Sequence, residues 1–175
     1  MNSIDLAILG FLIEKEKHGY EIYKIVSDES GFGAIYSIKI GRLYSILNKL
    51  EESNLVHSRL DTTGVRPPKK VYRITKEGEH QFKNWLVTPE KHGRDLRINL
   101  LMKLFFLEEL PKICDKDVLA NQINECQEWL ERISKEIKNL RNDENTQFIV
   151  KEFRKSQIEG YINWLKWCKR RINHD

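Results

Sequence analysis

The sequence predicts a mainly α chain with a small β-hairpin, divided into an N-terminal unit of helices plus the hairpin and a C-terminal unit of antiparallel helices. Three observations predict it. Apolar residues recur at helical spacing through the first 50 positions, in blocks separated by Lys17-His18-Gly19 and Ser30-Gly31-Phe32-Gly33. Strand-like segments occur once, at residues 55–60 and 71–75, around a turn rich in Gly, Pro and cations, Thr62-Thr63-Gly64-Val65-Arg66-Pro67-Pro68-Lys69-Lys70. Beyond Pro89 the pattern is helical throughout, with no alternation and no internal repeat. Pro89 and Gly93 punctuate the chain, so the boundary is expected near residues 88–92, giving domains 1–88 and 89–175.

In chain order, Ser3 as N-cap and Asp5 in the first turn open a first helix. Its wide stripe of Ile4, Leu6, Ile8, Leu9, Leu12 and Ile13 predicts deep burial as far as about Glu16. Tyr20, Ile22, Tyr23, Ile25 and Val26 predict a second helix. A third is capped by Ser37 and stops near Asn54, with Ile40, Leu43, Leu47 and Leu50 inward and Lys39, Arg42, Ser45 and Lys49 outward. After the hairpin, Thr75 caps a fourth helix that packs Phe82, Trp85 and Leu86. A fifth covers about residues 94–107, and Pro111 ends that region. Asp115 caps a long sixth helix, and after the polar turn at 142–145 a seventh carries Ile149, Phe153, Ile158, Tyr161, Ile162, Leu165, Cys168 and Ile172 along one side, extended by Trp164 and Trp167. Three helices followed by a basic hairpin is the order of a winged helix-turn-helix.

Composition excludes several classes. With 175 residues, 40% hydrophobic and 32% charged, the chain can bury a real core. Its longest apolar runs, broken by Lys103, fall far short of the roughly 20 residues of a membrane helix. The first residues carry no cationic segment and no small-residue cleavage site, so a cytoplasmic protein is expected. Cys114, Cys126 and Cys168 include no CxxC, and the five histidines lack HxxxH or HExxH spacing, so no metal, cofactor or disulfide framework is expected and the thiols read as packing residues. No Ser/His/Asp order, phosphate loop or secluded carboxylate pair points to an enzyme.

The net charge of +4 implies little, but its distribution is informative. Residues 36–76 hold nine cations against three anions, a net +6, which leaves −2 for the remainder. The positive charge therefore sits on the helix and hairpin that would meet DNA.

The segments Leu6-Ala7-Ile8-Leu9-Gly10-Phe11-Leu12, His18-Gly19-Tyr20-Glu21-Ile22, Gly41 through Glu51, Leu55-Val56 and Arg66 through Gly78 together resemble the PadR transcriptional regulators. The likeness runs in order and at the right spacing through residues 4–86. It departs at Arg42, where that family usually has Thr or Gln, and at Ser45, where it usually has Pro. Both positions face outward, so the departures are expected to change the DNA sequence read and not the fold. The C-terminal half is similar, more weakly, to the helical dimerisation region of the longer PadR branch, at residues 97–107 and 161–165. The resemblance implies a homodimer whose C-terminal helices clasp the neighbouring subunit.

The residues expected to face DNA are His18, Tyr20, Ser37, Lys39, Arg42, Tyr44, Ser45, Lys49, Arg66, Lys69, Lys70 and Tyr72. Arginine at 42 suits a two-point grip on guanine, whereas Lys39, Lys49, Arg66, Lys69 and Lys70 suit phosphates. His18 reads first as a helix cap and second as a DNA donor, whereas Tyr44 reads equally as core or contact. Gly19 leaves space where backbone can approach a phosphate, and Gly41 is expected to allow close helix packing. Gly64, Pro67 and Pro68 shape and stiffen the wing tip, and either Tyr72 with Ile74 or Val71 with Arg73 packs beneath the wing.

Six large apolar side chains left in water on the last helix forgo on the order of 10 kcal/mol, comparable with a domain's whole stability. A second copy is the expected cover, with Ile158, Tyr161, Ile162, Leu165, Cys168 and Ile172 at the dimer contact. Trp85, Phe105, Trp129, Trp164 and Trp167 are either core or the lining of a pocket for a small aromatic effector, a ligand class the resemblance implies. The function expected is that of a dimeric repressor on a palindromic operator. The alternative is a winged helix used for protein contacts without specific DNA binding.

Overall fold

The computed structural model describes residues 1–62, 69–111, 117–140 and 145–172. Its elements are α1 (Ser3–Gly10), β1 (Lys17–His18), α2 (Gly19–Ser27), α3 (Phe32–Ile35), α4 (Ile40–Glu52), β2 (Val56–Asp61), β3 (Lys69–Ile74), α5 (Lys76–Val87), α6 (Gly93–Asp95), a π-helical stretch (Leu96–Leu100), α7 (Leu101–Glu109), α8 (Asp117–Lys138) and α9 (Asn145–Ile172). The mainly α chain with a winged unit is thus as the sequence predicts, with a third strand added. The wing tip at 63–68, including Arg66, and the Asp115 cap lie outside the described residues.

Several boundaries differ for identifiable reasons. The N-cap of α1 is Asn2 and not Ser3: Asn2 Oδ1 accepts from the Asp5 N–H at 2.9 Å while an Asp5 carboxylate oxygen accepts from the Asn2 N–H at 3.3 Å. The helix ends at Gly10 and not Glu16, and the Leu12 and Ile13 amides turn back onto the Leu9 and Gly10 carbonyls. Ser37 does not cap α4. Phe32 and Ile38 are both drawn into the core, the chain is extended at Tyr36, and Lys39 takes the N-cap position. Asn54 does stop α4. It sits at φ 56°, and the Leu55 and Asn54 amides bond the Leu50 and Glu51 carbonyls, a Schellman closure in which asparagine takes the left-handed position.

The sheet has the order β1-β3-β2, all antiparallel. The wing pairs Val56 with Ile74 at its base and Asp61 with Lys69 at its outer end. Strand β1 pairs Lys17 with Tyr72 and His18 with Val71, which pins the start of α2 beside the wing. The Thr75 hydroxyl accepts from the Gly78 N–H at 3.0 Å, so Thr75 caps α5. Gly78 lies against the start of β2, where an added Cβ would collide with the Leu55 carbonyl oxygen.

Met1–Leu86 packs with the segment that begins at Asp95, while Val87–Arg94 packs with α8 and α9. The division therefore differs from a single break at residue 88, because α7 serves the first core. Phe106 is the reason: its ring meets those of Phe11, Phe82, Trp85 and Phe105 at centroid separations of 5.1–6.3 Å. An added Cβ at Gly10 would come within 2.6 Å of the Phe82 and Phe106 rings, so this approach requires glycine.

In the second unit, Lys151 near the start of α9 pairs with Glu136 near the end of α8, as an antiparallel hairpin requires. The buried Gln122 amide bonds the Glu90 N–H at 2.7 Å and its carbonyl at 3.0 Å, strapping the preceding segment to α8. No helix among the described residues is long and apolar enough to cross a membrane.

Candidate nucleic-acid interface

Helix α4 has an inner face of Leu43, Ile46, Leu47 and Leu50, all buried. Ile40 is a correction: it is exposed, and Ile46, outside the predicted inner set, is buried. Leu43 and the preceding Ile38 are buried, while Ile40 between them is turned away from the core. Arg42, Tyr44, Ser45, Asn48 and Lys49 are outward.

His18, Gly19, Tyr20, Tyr44, Asn48, Lys69, Lys70 and Tyr72 line one open concavity of about 770 Å3. It gathers the start of α2, the outer face of α4 and the wing strand β3. Of the residues predicted from the sequence, six lie here; Asn48 was missed, because an exposed asparagine in a helix carries no pattern of its own. The β1–β3 pairing that closes the concavity is two residues long and has no sequence signature.

Gly19 is explained differently from the expectation. An added Cβ would stand 2.7 Å from the Tyr44 ring, so the glycine makes room for that ring and not for a phosphate. Tyr44 is thereby part core, part surface. His18 occupies the N-cap position of α2, with its own N–H donating to Glu21 at 2.7 Å and its Nε2 3.6 Å from an Asp61 carboxylate oxygen. Tyr20 is half exposed and carries the Lys24 ammonium 5.2 Å from its ring centre.

The cations divide. Lys69 is exposed on the wing, and Lys39 is exposed at the start of α4 beside the exposed Ser37. Lys70 reaches Glu51 at 3.1 Å, a pairing that raises its pKa. The Glu51 carboxyl is held below its ordinary value, first by the Ser58 hydroxyl donating to it and then by Lys70. Arg42 stands 5.6 Å from the centre of the Tyr36 ring. Lys49, expected at a phosphate, has its Nζ 2.5 Å from the buried Asp5 carboxylate while its side chain stays half exposed. Tyr72 departs too, at 1% exposure, its phenol pushed up by burial. Val71 is buried beside it, because β3 is the central strand and is covered on both faces at this point. Gly41 is a further correction, since among the described residues nothing outside its own helix backbone lies within 4 Å of an added Cβ.

The aromatic residues proposed for an effector are dispersed. Trp85 is buried, with the Lys103 ammonium 5.4 Å from its ring centre. Phe105 borders a cavity of about 260 Å3 with Phe11, Phe106, Lys15 and Lys17. In the second unit Trp129 is buried and donates to Glu125 at 2.7 Å, whereas Trp164 and Trp167 are exposed. Of the expected dimer residues, Ile162, Leu165 and Cys168 are buried within the protomer, Ile158 and Tyr161 are half-buried, and Ile172 is exposed. Burial pushes the Cys126 and Cys168 thiols up, which suits packing. Among the described residues no group of three His, Cys, Asp or Glu side chains gathers as metal ligands.

Residues 8–84 match the family model described as the transcriptional regulator PadR-like family, and residues 96–173 match the virulence activator alpha C-terminal model. The negative transcriptional regulator PadR of Bacillus subtilis (strain 168) is 23% identical over 184 residues, spanning 100% of both chains. An uncharacterized protein of Lysinibacillus sphaericus is 29% identical over 76 residues, covering 43% of this chain and 68% of its own. The crystal structure of Bacillus subtilis PadR in complex with operator DNA shares the fold, with a TM-score of 0.50 at 21% identity over 98% of this chain and 99% of that one. With an N-terminal match to the PadR model, a C-terminal domain that continues it and a full-length curated relative, the chain belongs to the PadR-like family of transcriptional regulators.

Proposed function

We propose that this regulator is a homodimeric repressor that binds a palindromic operator. The carrying observation is the concavity in which α4, the start of α2 and the cationic wing strand converge on one surface. The outer face of α4 would enter the major groove, with Lys69 and Lys70 on the flanking phosphates. A repressing role is supported by the full-length relative, described as a negative transcriptional regulator. Two such surfaces in a dimer would meet half-sites about 34–36 Å apart.

The dimer is supported by the outer side of α9. Phe148, Ile149, Val150, Phe153, Trp164, Trp167 and Ile172 are all exposed, Phe153 at 62%. Covering them is worth on the order of 5–10 kcal/mol, taking about half the full burial value for each. This contact set replaces Ile162, Leu165 and Cys168, which the protomer already uses. A small aromatic compound is the effector class we assign to the cavity beside Phe105, whose rings Phe11, Phe105 and Phe106 stand among two lysines, Lys15 and Lys17, and two carboxylates, Glu14 and Glu109.

Selection of bound duplexes from a random pool by the full-length chain tests the proposal. A palindromic consensus with steeply salt-dependent affinity is expected. Weak, sequence-indifferent binding would refute it and favour a winged helix devoted to protein contacts.

A further inference from the structure

Ile40 is 44% exposed in the first turn of α4, immediately after the N-cap Lys39. Its neighbour Gly41 has nothing within 4 Å of an added Cβ, so no packing within the described residues accounts for a glycine in a helix that glycine disfavours. One exposed isoleucine is ordinary on a protein surface. Beside a bare glycine, at the helix end that usually meets base edges, it is an apolar surface that the described residues leave partly open. Helical spacing puts Ile40 on the same face as Tyr44 and Asn48, which line the concavity flanked by Lys69 and Lys70. Arg42, by contrast, stands over the protein's own Tyr36 ring.

The one apolar group that a base pair presents in the major groove is the thymine C5 methyl. We propose that Ile40 packs on a thymine methyl in each half-site, with Gly41 letting the helix backbone come close enough for that contact. The inference rests on the DNA-binding function proposed above and adds a specificity-determining position that does not depend on charge. Lys69 and Lys70 supply the grip that brings the apolar turn to the base, and the methyl supplies the discrimination.

The test uses the duplex that the full-length protein enriches from a random pool, with its thymines replaced one at a time by deoxyuridine, a change that removes only the methyl. One thymine per half-site is expected at which the replacement weakens wild-type binding about fourfold, the factor for losing one buried methyl. Ile40→Ala should weaken binding to the thymine duplex by a similar factor and be indifferent to deoxyuridine at that position. Gly41→Val should weaken binding to the enriched duplex at least about tenfold and, like Ile40→Ala, remove the sensitivity to deoxyuridine at that thymine. Thermal melting confirms that both variants are folded, as exposed positions allow. Insensitivity to deoxyuridine at every thymine, or unchanged sensitivity in Ile40→Ala, overturns the inference while leaving DNA binding intact. Enrichment of no duplex at all overturns both, and is a visibly different result.

Discussion

Replacing Lys49 by Met distinguishes two roles for one cation. In the structure its Nζ is 2.5 Å from Asp5, whose side chain is 2% exposed while that of Lys49 is 52% exposed. Breaking a fully buried pair costs about 3–5 kcal/mol, and an exposed pair is worth about 0–1. One buried and one half-solvated partner place the cost at about 1–2 kcal/mol, since among the described residues Asp5 would keep the hydrogen bond from the Asn2 amide at 3.3 Å. In a chain of this length that lowers the midpoint of thermal unfolding by about 2–8 °C. The assay is thermal melting of Lys49→Met, Asp5→Asn and the double variant, with operator affinity measured across a salt series. Coupling of at least about 0.5 kcal/mol and an unchanged salt slope are expected. An unchanged melting point with a salt slope reduced by about 0.9 would refute the reasoning and return Lys49 to the phosphates.

Gly78→Ala is expected to destabilise by about 2–3 kcal/mol in urea unfolding, because the new methyl meets the Leu55 carbonyl, which the strand cannot move aside. Glu51→Gln should change the acid profile: a carboxyl whose folded pKa is depressed stabilises above its ordinary value, and that contribution is lost as pH falls through the lowered one. Wild type should therefore lose stability more steeply than the variant below about pH 5, and parallel curves would exclude the Ser58 and Lys70 contacts as its source. Phe153→Glu and Trp167→Glu should shift sedimentation equilibrium toward monomer without changing helix content, since both rings are exposed in the protomer.

What the sequence shows and what it hides follow from length and periodicity. Helix α4 was legible because Leu43, Leu47 and Leu50 repeat over three turns and Asn54 supplies a left-handed stop. Ile40 lies at the edge of that stripe, on the side of Tyr44 and Asn48, and period alone does not say how wide the buried stripe is. The hairpin was legible from its β-branched residues and its turn, whereas β1 exists only by pairing with β3 and α3 is a single turn. The cationic character of the site could be counted in advance. Which cations are spoken for could not, because Asp5 lies 44 positions from Lys49 and Glu51 lies 19 from Lys70. The last helix misled in the opposite sense: its stripe is wide enough that part of it, at Ile162, Leu165 and Cys168, packs at home and the rest faces outward.

The anchoring of α4 is one-sided, and this bears on how specificity can change. Its C-terminal half is tied to α1 through Lys49 and Asp5, to the wing through Glu51 with Ser58 and Lys70, and to β2 through the Leu50–Leu55 closure. Glu51 joins helix and wing strands through one carboxylate, so α4 and the strands β2 and β3 are held together at that end. At the other end, the first turn carries Ile40, a glycine with free space around it, and an arginine resting on an aromatic ring. Substitution there disturbs little that holds the fold, because no buried partner is lost. The departures from the PadR pattern at Arg42 and Ser45 fall on this outward face. A helix anchored at its C-terminal half can therefore change its outward first-turn residues at small cost in stability.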